Sequence, residues 1–135
     1  MASPPKPTES ELEILQVLWR SGPVNVRFVN EQLNLKREIG YTTTLKWMQL
    51  MLEKKLVLRD ESVWPHVYEA AVREEETQSQ LLDRFVESAF GGSALKLMLR
   101  ALGKSQNSRE ELDQIQALLT KMNSTQAADP SDERA

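Results

Sequence analysis

The chain has no cysteine and a single histidine, His66, among its 135 residues. The first absence excludes disulfides and thiolate metal sites and gives no sign of an oxidising compartment. The second leaves no His-Glu-x-x-His pair, and one histidine without cysteine cannot make a zinc site unaided. No apolar run is long enough to cross a bilayer. The start, Met-Ala-Ser-Pro-Pro-Lys-Pro, lacks the apolar centre of a signal peptide. These absences predict a cytoplasmic protein with no membrane insertion. Catalytic constellations are missing too. Gly91-Gly92 has no Lys-Ser/Thr after it and no strand before it, so it is not a phosphate cradle. Glu74-Glu75-Glu76 lacks the spaced ligands and central glycine of a calcium loop, and reads as the acidic first turn of a helix. We therefore expect no enzymatic activity and no cofactor.

What remains is 40% hydrophobic and 27% charged, a globular composition with a net charge of -3. The distribution of charge says more than its sum. Residues 1–72 carry nine basic and nine acidic side chains, whereas 73–135 carry eight against eleven. Within 36–59 six basic residues (Lys36, Arg37, Lys46, Lys54, Lys55, Arg59) face two acidic ones (Glu38, Glu53), a local excess of +4.

After a Pro-rich tail at 1–7, Thr8 and Glu11 form a capping-box pattern. The helix they open buries Leu12, Leu15, Leu18 and Trp19 and stops at Ser21-Gly22-Pro23. Asn25 caps a second helix with the stripe Val26, Val29 and Leu33. A third helix, about 42–55, turns Leu45, Met48, Met51 and Leu52 inward, with Tyr41 and Thr44 at the edges. Thr42, Thr43, Lys46, Trp47, Gln49, Leu50 and Lys54 fall on its other side. Residues 56–70 read as two short strands around a polar turn near Pro65. Three helices followed by a hairpin are the order of a winged helix-turn-helix.

From Arg73 the pattern is helix alone. One helix carries Leu82, Phe85 and Phe90, a short one Leu95, Met98 and Leu102, and a last one Leu112, Ile115, Leu119 and Met122 at a/d spacing. These helices have too little mass to enclose a core, so pairing with a second copy is the simplest way to cover them. The expected fold is mainly α with a small β-hairpin: a winged helix at 8–72, a helical dimerisation domain at 73–123, and disordered tails at 1–7 and 124–135.

A helix-turn-helix reads DNA by laying its second helix in the major groove, amino-terminal end toward the bases. Thr42 and Thr43 suit phosphate contacts at a helix start. Lys46 can reach a guanine edge or a phosphate, Gln49 can pair with adenine, and apolar side chains can touch a thymine methyl group. His66 is either structural or a phosphate contact from the hairpin. A protein-interaction module, with Trp47 and Leu50 as hot spots on the same face, is the alternative.

The stretches "TESELEILQVLWRSGPVNVRFVNEQL", "REIGYTTTLKWMQLMLEKKLV", "VYEAAVREEE" and "FVESAFGGSALKLML" occur in that order over about 8–123. In combination they resemble the penicillinase-repressor family of bacterial transcriptional repressors. The resemblance implies a homodimer on inverted-repeat double-stranded DNA. It also implies that Thr43, Lys46 and Trp47 face the major groove and that the hairpin, about Arg59 to His66, touches the backbone. Many members are cut in the dimerisation region through a membrane-bound sensor metallopeptidase; the matching stretch is Leu97 to Leu102, with Arg100-Ala101 the candidate bond. Lys46 and Trp47 stand where the family often has threonine, Leu50 where it has Arg, and Lys55 where Gly is common. The carboxy-terminal cysteines of the copper-responsive branch are absent, which argues against copper sensing by that chemistry.

Overall fold

A computed structural model describes residues 6–104 and 106–128. Its elements are α1 (Glu9–Ser21), α2 (Val26–Leu33), α3 (Tyr41–Glu53), β1 (Val57–Asp60), β2 (Val67–Ala70), α4 (Glu74–Phe90), α5 (Ala94–Lys104) and α6 (Arg109–Ala128). The chain divides into two compact units, one up to Phe85 and one from Val86. The division falls inside α4. The reason is local: Thr77 is buried, and the Trp19 indole N–H donates to the Val72 carbonyl at 3.0 Å, tying the approach to α4 onto α1.

In the first unit the capping box forms as its spacing demands. The Thr8 hydroxyl accepts from the Glu11 amide at 3.2 Å, and the Glu11 carboxylate accepts from the Thr8 amide at 2.9 Å. Asn25 caps α2 by accepting from the Phe28 amide at 2.9 Å. The core gathers Ile14, Leu15, Val17 and Leu18 from α1, the stripe Val26, Val29 and Leu33 from α2, Met48 and Met51 from α3, and Leu56, Val57 and Tyr68. Leu12 and Trp19, expected in that core, are only half-buried at its edge. Each buried aliphatic side chain contributes roughly 1.5–3 kcal/mol, so the three helices and the hairpin stabilise one another.

β1 and β2 pair antiparallel, with Val57 opposite Ala70 and Arg59 opposite Tyr68. Val24, in the connection between α1 and α2, extends the hairpin by one bridge: its amide donates to the Tyr68 carbonyl at 3.0 Å, and its carbonyl accepts from the Tyr68 amide at 2.8 Å. The wing is thereby fixed to the helix-turn-helix. The turn from α3 into the wing closes with Leu56 N–H on Met51 carbonyl at 2.9 Å and Lys55 N–H on Leu52 carbonyl at 3.1 Å. That is the Schellman arrangement, which needs a left-handed residue, and Lys55 adopts φ 65 to supply it. The lysine thus keeps the turn geometry that a glycine would give, with steric strain in place of freedom.

The second unit contains the end of α4, then α5 and α6. Gly91 and Gly92 take φ 58 and φ 86 to end α4, a left-handed backbone that glycine adopts without strain, and the Gly92 amide donates to the Val86 carbonyl. Ser93 caps α5, and Ser108 with Glu111 forms the second capping box at α6 (3.0 and 3.1 Å). Helix α6 runs to Ala128, so residues 124–128, expected in a disordered tail, are helical. Thr120 and Thr125 return their hydroxyls to the carbonyls four residues back, at 3.0 Å each, and Gln and Ala sustain the remaining turns. Positions 129–135 of that tail, and 1–5 of the amino-terminal one, lie outside the described residues. Of the predicted tail at 1–7, Pro7 is buried at a small cleft lined by Leu56, Val72, Thr77 and Leu81.

Candidate nucleic-acid interface

The placement of α3 follows from a set of polar contacts that periodicity cannot show. Asn30 on α2 donates to the Ile39 carbonyl at 3.0 Å and to the Thr44 hydroxyl at 2.8 Å. Asn34 donates to the same carbonyl at 2.9 Å and accepts from the Ile39 amide at 3.0 Å. Two asparagines thus lock the turn between the two helices. Thr44 is fully buried, beyond the edge position expected of it, because its hydroxyl has this partner and costs nothing unsatisfied.

The far end of α3 is held by charge. Lys54 Nζ lies 2.9 Å from both carboxylate oxygens of Glu11, whose side chain is 4% exposed. Lys54 therefore turns toward α1, not outward with Lys46 as its helical position had implied. Before α3, Arg37 pairs with Glu13 at 2.7 Å. On the hairpin Arg59 Nε donates to Glu61 at 2.8 Å. A hydrogen bond to Tyr68 and this carboxylate raise the guanidinium pKa above its ordinary value. Three of the six basic residues at 36–59 are thus in ion pairs, while Lys36, Lys46 and Lys55 are exposed and have none among the described residues. The electrostatic footprint is narrower than the count of charges implied.

On α3 the outward face comprises Thr42, Thr43, Lys46, Gln49 and Leu50, all exposed. Trp47 does not join them. It is half-buried and packs against the core, because lying one helical turn from both Thr44 and Met51 sets it at the flank of the buried stripe. The apolar pair expected on this face is reduced to Leu50, which is 41% exposed. Unlike α1 and α2, α3 starts at Gly40 with no side-chain cap, so its first-turn amides stay available to an anion beside Thr42 and Thr43.

The hairpin brings His66, half-buried, next to Trp64, the rings meeting edge-on at 4.9 Å. Asp60 accepts from the Ser62 hydroxyl and amide, and these bonds, with the nearby His66, lower its carboxyl pKa. Arg27 and Tyr41 line one groove with Leu45, Trp64 and His66. Trp64 lies within the hairpin stretch that the resemblance sets against the DNA backbone, whereas Arg27 is not among the residues expected from the sequence; an Arg one residue inside a helix start is the available signal for it.

In the second unit no described residue is buried. Leu95, Met98, Leu102, Leu112, Leu119 and Met122 are each between 39% and 63% exposed, with Phe90 and Ile115 intermediate. Leu82 and Phe85, on the part of α4 that belongs to the first unit, are about half exposed. Arg100 and Ala101 lie exposed within α5. No helix among the described residues is long and apolar enough to cross a membrane, and no group of three or more acidic or histidine side chains there is placed to hold a metal ion.

A helix-turn-helix locked by asparagines, with an uncapped third helix in solvent and a bridged hairpin beside it, defines the winged-helix class. The chain belongs to the penicillinase repressor family, whose model matches residues 7–121. The family is one of DNA-binding transcriptional repressors. No curated protein matches the chain.

Proposed function

We propose that this repressor works as a homodimer on an inverted-repeat operator, one α3 per half-site, and silences transcription by occluding the promoter. The observation that carries the reading is the exposed face of α3, polar at Thr42, Thr43, Lys46 and Gln49 while the opposite face is buried. Thr42, Thr43 and the free first-turn amides take phosphates and set the register; Lys46 and Gln49 read base edges; Leu50 meets a thymine methyl group. Trp47 supports this face from behind rather than reading bases. Arg59 is neutralised by Glu61, so the wing's backbone contact falls to His66 and its neighbours.

Dimerisation is supported by the lack of any buried residue among the described residues of the second unit, since helices with apolar stripes half exposed need a partner surface. A second copy supplies it by twofold symmetry through Leu95, Met98, Leu102, Leu112, Ile115, Leu119 and Met122, with Leu82, Phe85 and Phe90 toward α4. Release follows from loss of these contacts, by cleavage at Arg100-Ala101 triggered by a membrane-bound sensor metallopeptidase in the cytoplasm where the DNA lies. Because that bond is inside α5, cutting requires the helix to open locally first. The protein-interaction alternative loses one of its two hot spots with the withdrawal of Trp47.

Binding isotherms on operator duplexes test the proposal. Affinity should fall steeply with salt, about 0.9 in log–log slope for each phosphate neutralised. Lys46→Ala should change which bases are preferred; a uniform loss over all sequences would instead assign Lys46 to a phosphate. A monomer by analytical ultracentrifugation at working concentration would end the dimer proposal.

A further inference from the structure

The groove between the starts of α2 and α3 and the tip of the hairpin has a volume of about 430 Å³. That falls in the range of small-molecule sites, about 300–1,000 Å³. Its walls are largely aromatic: Tyr41, Trp64, His66 and Tyr68, with Val26 and Leu45 completing the apolar surface. Tyr68 is buried and its hydroxyl is hydrogen-bonded to Arg59, while the Trp64 and His66 rings meet edge-on at 4.9 Å. The hairpin side of the groove is thus built before anything enters it.

Charge selects the occupant. Arg27 is the only Lys, Arg, Asp or Glu side chain among the described lining residues. Arg37, Lys54 and Arg59 are spent on carboxylates, whereas Arg27 is exposed and has no ion pair among the described residues. A free guanidinium beside aromatic walls fits a ligand with one carboxylate and one planar ring: the fork takes both carboxylate oxygens, and the rings take the π face. We infer that the groove is a binding site for a small planar aromatic carboxylate, its carboxylate on Arg27 and its ring against Tyr41 and Trp64. Tyr41 is the first residue of α3, so an occupied groove stands where DNA must approach the end of that helix. Ligand and DNA therefore exclude one another, and the bound acid releases the operator. This consequence rests on the DNA-binding reading of α3; the site itself does not.

Calorimetric titration of the full chain with naphthoate, neutral naphthylmethanol and non-aromatic cyclohexanecarboxylate tests the site. Naphthoate should saturate one site per chain and bind roughly tenfold tighter than either of the others. Arg27→Gln should remove the advantage of the acid over the alcohol and leave the alcohol's affinity as it is. Trp64→Ala should weaken acid and alcohol alike, and both variants should melt as wild type does, since both side chains are exposed. No saturation at millimolar naphthoate, or equal binding of acid and alcohol, overturns the inference. So does naphthoate binding that survives Arg27→Gln, which would put the acid on another surface. With the duplex that the chain most enriches from a random pool, saturating naphthoate should weaken binding at least roughly fivefold in wild type and much less in Arg27→Gln. Unchanged duplex affinity in wild type at saturation overturns the exclusion of DNA. If wild type enriches no duplex, the reading of α3 falls, and the titration still decides the site.

Discussion

Replacing Lys54 with methionine tests how α3 is held. The Lys54 ammonium sits 2.9 Å from both oxygens of Glu11, whose side chain is 4% exposed against 31% for Lys54. Methionine keeps the aliphatic stem and removes the charge, leaving a carboxylate in a nearly dry place. An unpaired buried charge costs about 3–5 kcal/mol. Two features lower that here: solvent already reaches the lysine, and Glu11 keeps its hydrogen bond from the Thr8 amide. A loss of about 2 kcal/mol follows. At roughly 4–8 °C per kcal/mol for a unit of this size, the melting midpoint should drop by about 10 °C. Circular-dichroism melts of Lys54→Met, Glu11→Gln and the double variant give the coupling. Glu11→Gln with Lys54→Met should recover about 1 kcal/mol relative to Lys54→Met alone, since no buried charge is then stranded. A drop under about 3 °C, or strict additivity, would refute the assignment of Glu11 and Lys54 as a coupled pair. Altered base preference in Lys54→Met at a temperature where it is folded would return the side chain to the DNA face.

Three other outcomes follow from particular residues. Lys55→Gly should stabilise the first unit by about 0.5–1 kcal/mol in chemical denaturation, because glycine accepts φ 65 without the Cβ clash; destabilisation would mean the lysine stem makes a compensating contact. Asp60 has a folded-state pKa below its ordinary 3.8, so its bonds to Ser62 contribute stability above that value and lose it as pH falls through the lowered one. The stability difference between wild type and Asp60→Asn should accordingly be constant near neutrality and shrink in acid below about pH 4; a difference that grows in acid would contradict the sign. Leu119→Glu puts a charge in the middle of the exposed α6 stripe and should yield a monomer in sedimentation with α1–α3 melting unchanged; a persistent dimer would remove α6 from the interface.

Local signals were legible in the residues. Thr8 with Glu11, Asn25, and the Val26, Val29 and Leu33 stripe needed only near neighbours, and each formed as its spacing required. Contacts between distant segments were not. Lys54 has the helical position of an outward residue, but its long stem reaches α1, a partner 43 positions away. Trp47 lies at a boundary angle, where a large ring is drawn onto the core by the area it buries. Thr44 was placed at an edge because nothing near it in sequence announces the Asn30 side chain that satisfies its hydroxyl. The candidate face survives these shifts with Thr42, Thr43, Lys46, Gln49 and Leu50 together in solvent. The wing survives less well, since Arg59 turns to Glu61 and leaves Trp64 as its most prominent group.

The central claim is that two copies present two α3 helices to one symmetric site. Selection of bound duplexes from a random pool by the full chain measures it directly. The account predicts an enriched twofold-symmetric motif with half-site centres about 10–10.5 base pairs apart, or a multiple of that, protected by two chains per duplex. Enrichment of an asymmetric motif bound by one chain, or no enrichment at low salt, would contradict it.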